Sequence, residues 1–140
     1  MISHHAALIY VMVMVSAADR NMTDAELKSI GEIVNFLPIF NDYDPGLLPK
    51  STAACAELLD SEDGLDRAFG VIKAALPPRL RETAYALACD VAAADGEPHQ
   101  EVLRLLEMIR HRLDIDRLVA AAIERGARAR FIRLDGHAPH

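Results

Sequence analysis

The sequence contains no tryptophan, and aromatic residues make up only 5% of its 140 residues. Its β-branched and aromatic residues are too scattered to build strands, which are usually rich in both. Hydrophobic residues still account for 51% of the chain and charged residues for 26%, which is too apolar a mixture for a disordered protein. Alanine and leucine dominate, and 140 residues is the size of one ordinary domain. The composition therefore predicts a single all-α domain.

Cysteine is also scarce. Cys55 and Cys89 form no CxxC motif and have no regular spacing, so we expect two buried thiols in a reducing compartment. The one long apolar run, residues 6–18, has 13 residues, whereas a bilayer-spanning helix needs about 20. The residues before it, MISHH, lack the Lys or Arg of a signal peptide. We expect a buried first helix, no membrane span and a cytoplasmic protein.

Basic residues are few in the first half of the chain. Residues 1–70 contain 11 acidic and 4 basic residues, which gives a net charge of −7. Residues 71–140 contain 10 acidic and 11 basic residues, which gives +1, so the whole chain has a net charge of −6. Nucleic-acid binding needs a surface rich in Lys and Arg, so we expect no nucleic-acid partner. The Arg-containing residues 127–140 are interpreted as a solvated C-terminal extension of a domain that covers residues 1–126.

Several catalytic patterns are missing. The sequence has no Ser-His-Asp order, no HExxH motif and no glycine-rich phosphate loop, and it lacks the Glu-x-x-His pairs of helical carboxylate-metal enzymes. We therefore expect a protein that is not an enzyme. The histidines near the two ends of the chain, His4, His5, His137 and His140, are expected to be exposed.

Periodic apolar residues and turn signals predict about seven helices. Ser61 is expected to cap the fourth helix and Pro98 to lie at the first position of the sixth. Asp114 or Asp116 is expected to cap the last helix, and Gly126 to stop it. The long loop after Pro38 is the place where a ligand or partner contact is conceivable, although a plain connector is the simpler interpretation. The predicted helices cover roughly residues 3–18, 23–37, 50–60, 61–76, 79–94, 98–113 and 116–125.

One phrase occurs twice. VSAADRNMTDAE begins at residue 15 and VAAADGEPHQE begins at residue 91, about 76 residues later, and each follows an apolar, alanine-rich helix. When the two are aligned, apolar residues match apolar residues over two helices in each half. The match indicates a duplicated helical hairpin, whose copies we expect to pack around a pseudo-two-fold axis.

Each copy carries a pair of acidic residues, Asp19 with Glu26 and Asp95 with Glu101. The two aspartates lie where a helix should end, and the partial negative charge there disfavours an anion. A bound divalent cation would offset that cost, but Ca²⁺ takes six to eight oxygen ligands, more than one pair supplies. The alternative is structural: Thr23 and Glu26 form a capping box, and the aspartates belong to turns. The pattern alone leaves both interpretations open.

The repeated motifs AADRNMTDAEL and AADGEPHQEVL resemble the signature of the TerB-like tellurite-resistance family. The resemblance covers about residues 5–120 and implies an all-helical fold in two halves, a place in a stress-response system and protein partners there. It also implies metal ligands at Asp19, Glu26, Asp95 and Glu101, with Ca²⁺, Mg²⁺ or Zn²⁺ as the ion. The chain departs from the family pattern at Arg20, where glycine is preferred, and the second copy is one residue shorter between its acids.

Two functional hypotheses follow. The first is a non-enzymatic, cytoplasmic stress-response module that binds a divalent cation through the four acidic residues. The second is a metal-free protein–protein interaction module of the same fold, whose acidic first half is the partner surface.

Overall fold

A computed structural model of the chain describes residues 1–18, 24–94, 96 and 98–134. The described residues contain seven α-helices, two short 3₁₀ turns and no strand, which confirms the predicted all-α fold. The 3₁₀ turns, Pro38–Phe40 and Pro45–Leu47, lie between α2 and α3. The helices are α1 His4–Ser16, α2 Asp24–Phe36, α3 Leu48–Leu59, α4 Gly64–Ala75, α5 Pro78–Ala94, α6 Gln100–Arg112 and α7 Arg117–Arg130.

Helix α1 is the central helix of the fold. Eleven of its thirteen residues are buried, because its sequence is apolar on nearly every side and a helix of that kind is stable only when it is surrounded. It packs against α3, α4 and α5, with further contacts to α2 and α6. The Ser3 hydroxyl caps its first turn by accepting a hydrogen bond from the backbone N–H of Ala6 at 3.0 Å.

The two copies of the repeated phrase form the pairs α1–α2 and α5–α6, and the pairs meet where α1 packs against α5. Helix α2 also contacts α5, and α6 also contacts α1. The pseudo-two-fold axis itself stays a prediction. Helix α7 packs against α5, whereas α3 and α4 pack against each other and against α1.

The start of α4 differs from the prediction. Ser61 does not cap the helix; its hydroxyl donates to the carbonyl of Leu58 at 2.5 Å, and α4 begins at Gly64. Asp63 precedes it in the left-handed region, with φ of 53°. A Cβ atom on Gly64 would lie 2.3 Å from the Leu59 carbonyl oxygen, so the close turn between α3 and α4 requires glycine.

The ends of the last two helices also differ. Helix α6 begins at Gln100 after His99, so Pro98 lies outside it rather than at its first position. Of the two predicted caps of α7, the structure has Asp116, whose carboxylate accepts the backbone N–H groups of two residues in the first turn of the helix. It does not stop at Gly126 but continues to Arg130, which pairs with Asp90 of α5. The division of the chain at residue 126 stays a prediction.

The N-terminal histidines were expected to be exposed, and His5 is not. It is 8% exposed, and its Nε2 lies 2.9 Å from the Ile39 carbonyl oxygen and 3.1 Å from an Asp42 carboxylate oxygen. A carbonyl oxygen only accepts, so Nε2 carries the proton. The ring also contacts Phe40 and Tyr43, at centroid distances of 5.6 and 5.1 Å. His5 thus holds the loop after α2 against α1.

Cys55 and Cys89 are both free and buried, as predicted. Burial raises the pKa of each thiol to about 12. None of the helices in the described part of the chain is long and apolar enough to cross a membrane.

Candidate metal centre at the acidic helix ends

The structure describes two of the four predicted ligands. Glu26 and Glu101 lie in the first turns of α2 and α6, so both carboxylates are at helix N-termini, where the partial positive charge of the helix favours an anion. Asp19 and Asp95 lie outside the described residues, and so does Thr23, the proposed capping partner of Glu26.

Glu26 and Glu101 differ in their exposure to solvent. Glu26 is 7% exposed, whereas Glu101 is exposed. Taking a carboxylate out of water is costly unless hydrogen bonds, a positive charge or a metal compensates. The two copies of the motif therefore place the same residue type in different environments, and the first copy provides the desolvated one.

Ser16, on the last turn of α1, is a further oxygen donor that the sequence analysis did not single out. The residue is 1% exposed, and its hydroxyl has no hydrogen-bond partner within the described ranges. Because α1 is followed along the chain by α2, Ser16 and Glu26 lie at the same end of the α1–α2 pair. A signal was present, since Ser16 is the one serine in the apolar run 6–18. The aligned residue of the second copy is Ala92, which has no such donor.

The donor chemistry fits a hard cation in the first copy. A carboxylate and a hydroxyl are oxygen donors of the kind that Ca²⁺ and Mg²⁺ prefer. Cys55 of α3 and Cys89 of α5 do not belong to the acidic motifs, so neither thiol is part of the proposed ligand set. Residues 1–18, 24–94, 96 and 98–134 contain no group of three or more His, Cys, Asp or Glu side chains that could hold a metal ion. The proposed ligand set therefore depends on Asp19 and Asp95.

Comparison with known proteins identifies the family. The family model described as tellurite resistance protein TerB matches residues 5–125, most of the chain. The chain therefore belongs to the TerB family, as the repeated motifs indicated. Comparison with curated proteins and with solved structures gives no match.

Proposed function

We propose that this TerB-family domain is a non-enzymatic, cytoplasmic stress-response module that binds a divalent cation at the acidic end of its first helical pair. In this proposal Asp19 and Glu26 are the principal ligands. Asp95 and Glu101 form a second, weaker site, because Glu101 is exposed. Protein partners would bind the cation-bound form of the domain.

The observation that carries the proposal is the burial of Glu26 at the end of the α1–α2 pair that also holds the buried Ser16 hydroxyl. Two buried oxygen donors at one end of a helical pair are of the donor type that a hard cation prefers.

The type of donor atom also predicts which cations bind most tightly. Carboxylate and hydroxyl oxygen donors favour Ca²⁺ or Mg²⁺ over Zn²⁺. Ca²⁺ takes six to eight oxygen atoms, so water and backbone carbonyls would have to complete the shell.

The test is a thermal melt of the metal-stripped chain in the presence of CaCl₂, MgCl₂, MnCl₂ or ZnCl₂. A ligand that binds only the folded state adds about 2.7 kcal/mol at a concentration 100 times its Kd. We expect a rise in Tm of several degrees with Ca²⁺ or Mg²⁺ and a much smaller rise with Zn²⁺. The matched variants are Glu26→Gln and Glu101→Gln, the same chemical change in equivalent positions of the two copies.

Glu26→Gln should remove most of the rise, and Glu101→Gln should leave most of it. Ser16→Ala should lower the apparent affinity while the metal-free protein stays folded. No rise in Tm with any ion would refute the cation site. Equal losses in Glu26→Gln and Glu101→Gln would refute the assignment of the stronger site to the first copy.

A metal-free interaction module is the second candidate, and one observation favours it. Glu57, Asp60, Glu62, Asp63 and Asp66 are all exposed between the middle of α3 and the first turn of α4. Among these acids, only Asp66 forms an ion pair with another described residue, Arg112, at 2.9 Å. A basic partner surface would complement this patch. Under this hypothesis no cation raises the Tm, and neutralising Asp60 and Glu62 abolishes co-purification of a partner that Glu26→Gln retains.

A further inference from the structure

A groove lies between α6 and α7, and it borders the second copy of the repeated motif at Gly96 and Pro98. Helix α5 packs against both of them and forms its floor, and the groove has a volume of about 810 Å³. Small-molecule sites in proteins have volumes of about 300–1,000 Å³, so the groove is large enough for one such ligand.

The interior of the groove is mainly apolar. Ala92 and Ala93 of α5 line its floor with small side chains, and Leu106 of α6 and Phe131 after α7 are larger apolar residues on its sides. Leu103 also lines it, although that side chain is 53% exposed. An apolar ligand would cover such surface and remove it from water.

The polar groups of the floor are largely occupied or neutral. The Tyr85 hydroxyl donates to a Glu124 carboxylate oxygen at 2.5 Å, so this carboxylate already has a partner. Burial, and next the nearby Glu124 carboxylate, raise the pKa of the Cys89 thiol to about 12, so the thiol is uncharged at neutral pH. The Tyr85 hydroxyl and the Cys89 thiol of the floor are therefore uncharged, and the neighbouring Glu124 carboxylate of α7 is hydrogen-bonded.

The edges of the groove are positively charged, in contrast to the chain as a whole. The charged residues that line it are three arginines and two glutamates: Arg110, Arg128, Arg133, Glu107 and Glu124. The lining thus has one more positive than negative charge, whereas the whole chain has a net charge of −6. Arg128 and Arg133 form no hydrogen bond or ion pair with any other described residue, whereas Arg110 contacts the His111 ring at 3.0 Å. Two guanidinium groups are thus available beside an apolar channel, and the guanidinium fork matches a carboxylate.

We propose that this groove binds a small apolar molecule with one carboxylate group, of the fatty-acid type. The hydrocarbon part lies along the small residues of α5. The carboxylate lies at the edge formed by Arg128 and Arg133. The site uses none of the four proposed metal ligands, although Gly96 and Pro98 of the second motif line it.

The probe for this proposal is 11-(dansylamino)undecanoic acid, whose fluorescence rises and shifts to the blue on transfer from water to an apolar site. Titrated with the full chain, it should show saturable binding of one molecule per chain. Its methyl ester, which has the same hydrocarbon part and no charge, should bind about tenfold more weakly, because a hydrogen-bonded carboxylate–guanidinium contact is lost.

Three variants locate the binding. Arg128→Glu should weaken the acid about tenfold or more and leave the ester nearly unchanged. Arg125→Glu makes the same charge change on the same helix outside the groove, and it should weaken the acid less than threefold. Ala93→Phe should weaken both probes by filling the floor. Circular dichroism and Tm establish that each variant is folded.

Three results would overturn the proposal. The first is an absence of saturable binding by the acid to the folded wild-type chain. The second is equal affinity for the acid and its ester, or equal losses in Arg128→Glu and Arg125→Glu. The third is a wild-type dimer that Ala93→Phe converts to a monomer, since a second copy of the chain would then occupy the groove.

Discussion

The two buried thiols make the stability of the domain sensitive to alkaline pH. Cys55 and Cys89 are 0% and 4% exposed, and burial raises the pKa of each from 9.0 to about 12. In the unfolded chain both thiols are solvated and ionise at their ordinary pKa. Above that pKa the folded chain therefore holds protons that the unfolded chain has released.

The sign and size follow from proton linkage. Stability falls with rising pH wherever the folded state binds more protons than the unfolded state. Each thiol's contribution is complete below the unfolded pKa and is lost as pH rises towards the folded pKa, at about 1.4 kcal/mol per pH unit. The two thiols together approach a slope of about 3 kcal/mol per unit between the unfolded and the folded pKa. Since whole domains are stable by about 5–15 kcal/mol, a change of one or two units is a large part of the total. Burial also raises the pKa of Tyr85, which adds to the decline at higher pH.

The assay is urea unfolding, followed by circular dichroism in reductant at four pH values between 7.5 and 10.5. We expect the free energy of unfolding to fall steeply above pH 9 in the wild type. Cys55→Ala and Cys89→Ala should each remove about half of the thiol-dependent slope. Either substitution leaves a small cavity and lowers stability at every pH, so the slope is the readout rather than the absolute value. If both variants decline as steeply as the wild type, the thiols are not responsible and the reasoning fails.

Two other predictions concern packing. Gly64→Ala should destabilise the domain by about 2 kcal/mol or more, because its Cβ would collide with the Leu59 carbonyl. Gly70→Ala has no atom within 4 Å of its Cβ, so it should stabilise α4 by about 0.5–1 kcal/mol. Equal denaturation midpoints for the two variants would contradict this prediction. His5→Ala should lower the free energy of unfolding by about 1–3 kcal/mol in the same assay, because it removes a buried hydrogen bond. Asp42→Asn should lower it by under about 0.5 kcal/mol, since that carboxylate is 80% exposed. Equal losses would show that the ion pair anchors the loop.

Much of the fold could be predicted because helical periodicity is a local signal. The apolar run 6–18 predicted a buried first helix, and Asp116 was one of the two residues predicted to cap the last helix. The features that were predicted wrongly depend on tertiary contacts. Gly126 would end an isolated helix, but α7 continues because Ala127 is buried and Arg130 pairs with Asp90 of α5. His5 is buried because residues 39–43, far away in the sequence, fold over it.

The candidate site was predictable in residue type but not in environment. Glu26 and Glu101 were equivalent in the aligned repeat, yet only Glu26 is desolvated. Burial depends on what packs over a helix end, which the spacing of acidic residues does not encode. Ser16 stood out in the sequence as a polar residue in an apolar run, but its lack of a hydrogen-bond partner within the described residues is visible only in the folded chain.

The central position of α1 has a consequence for synthesis on the ribosome. Helix α1 packs against α3, α4 and α5 and contacts α2 and α6, and a main partner, α5, ends only at Ala94. The 78 residues from Ser16 to Ala94 take about 4–16 s to translate at about 5–20 residues per second. During that interval the most apolar segment of the nascent chain waits without its full set of partners, so it is the segment that a chaperone would be expected to bind.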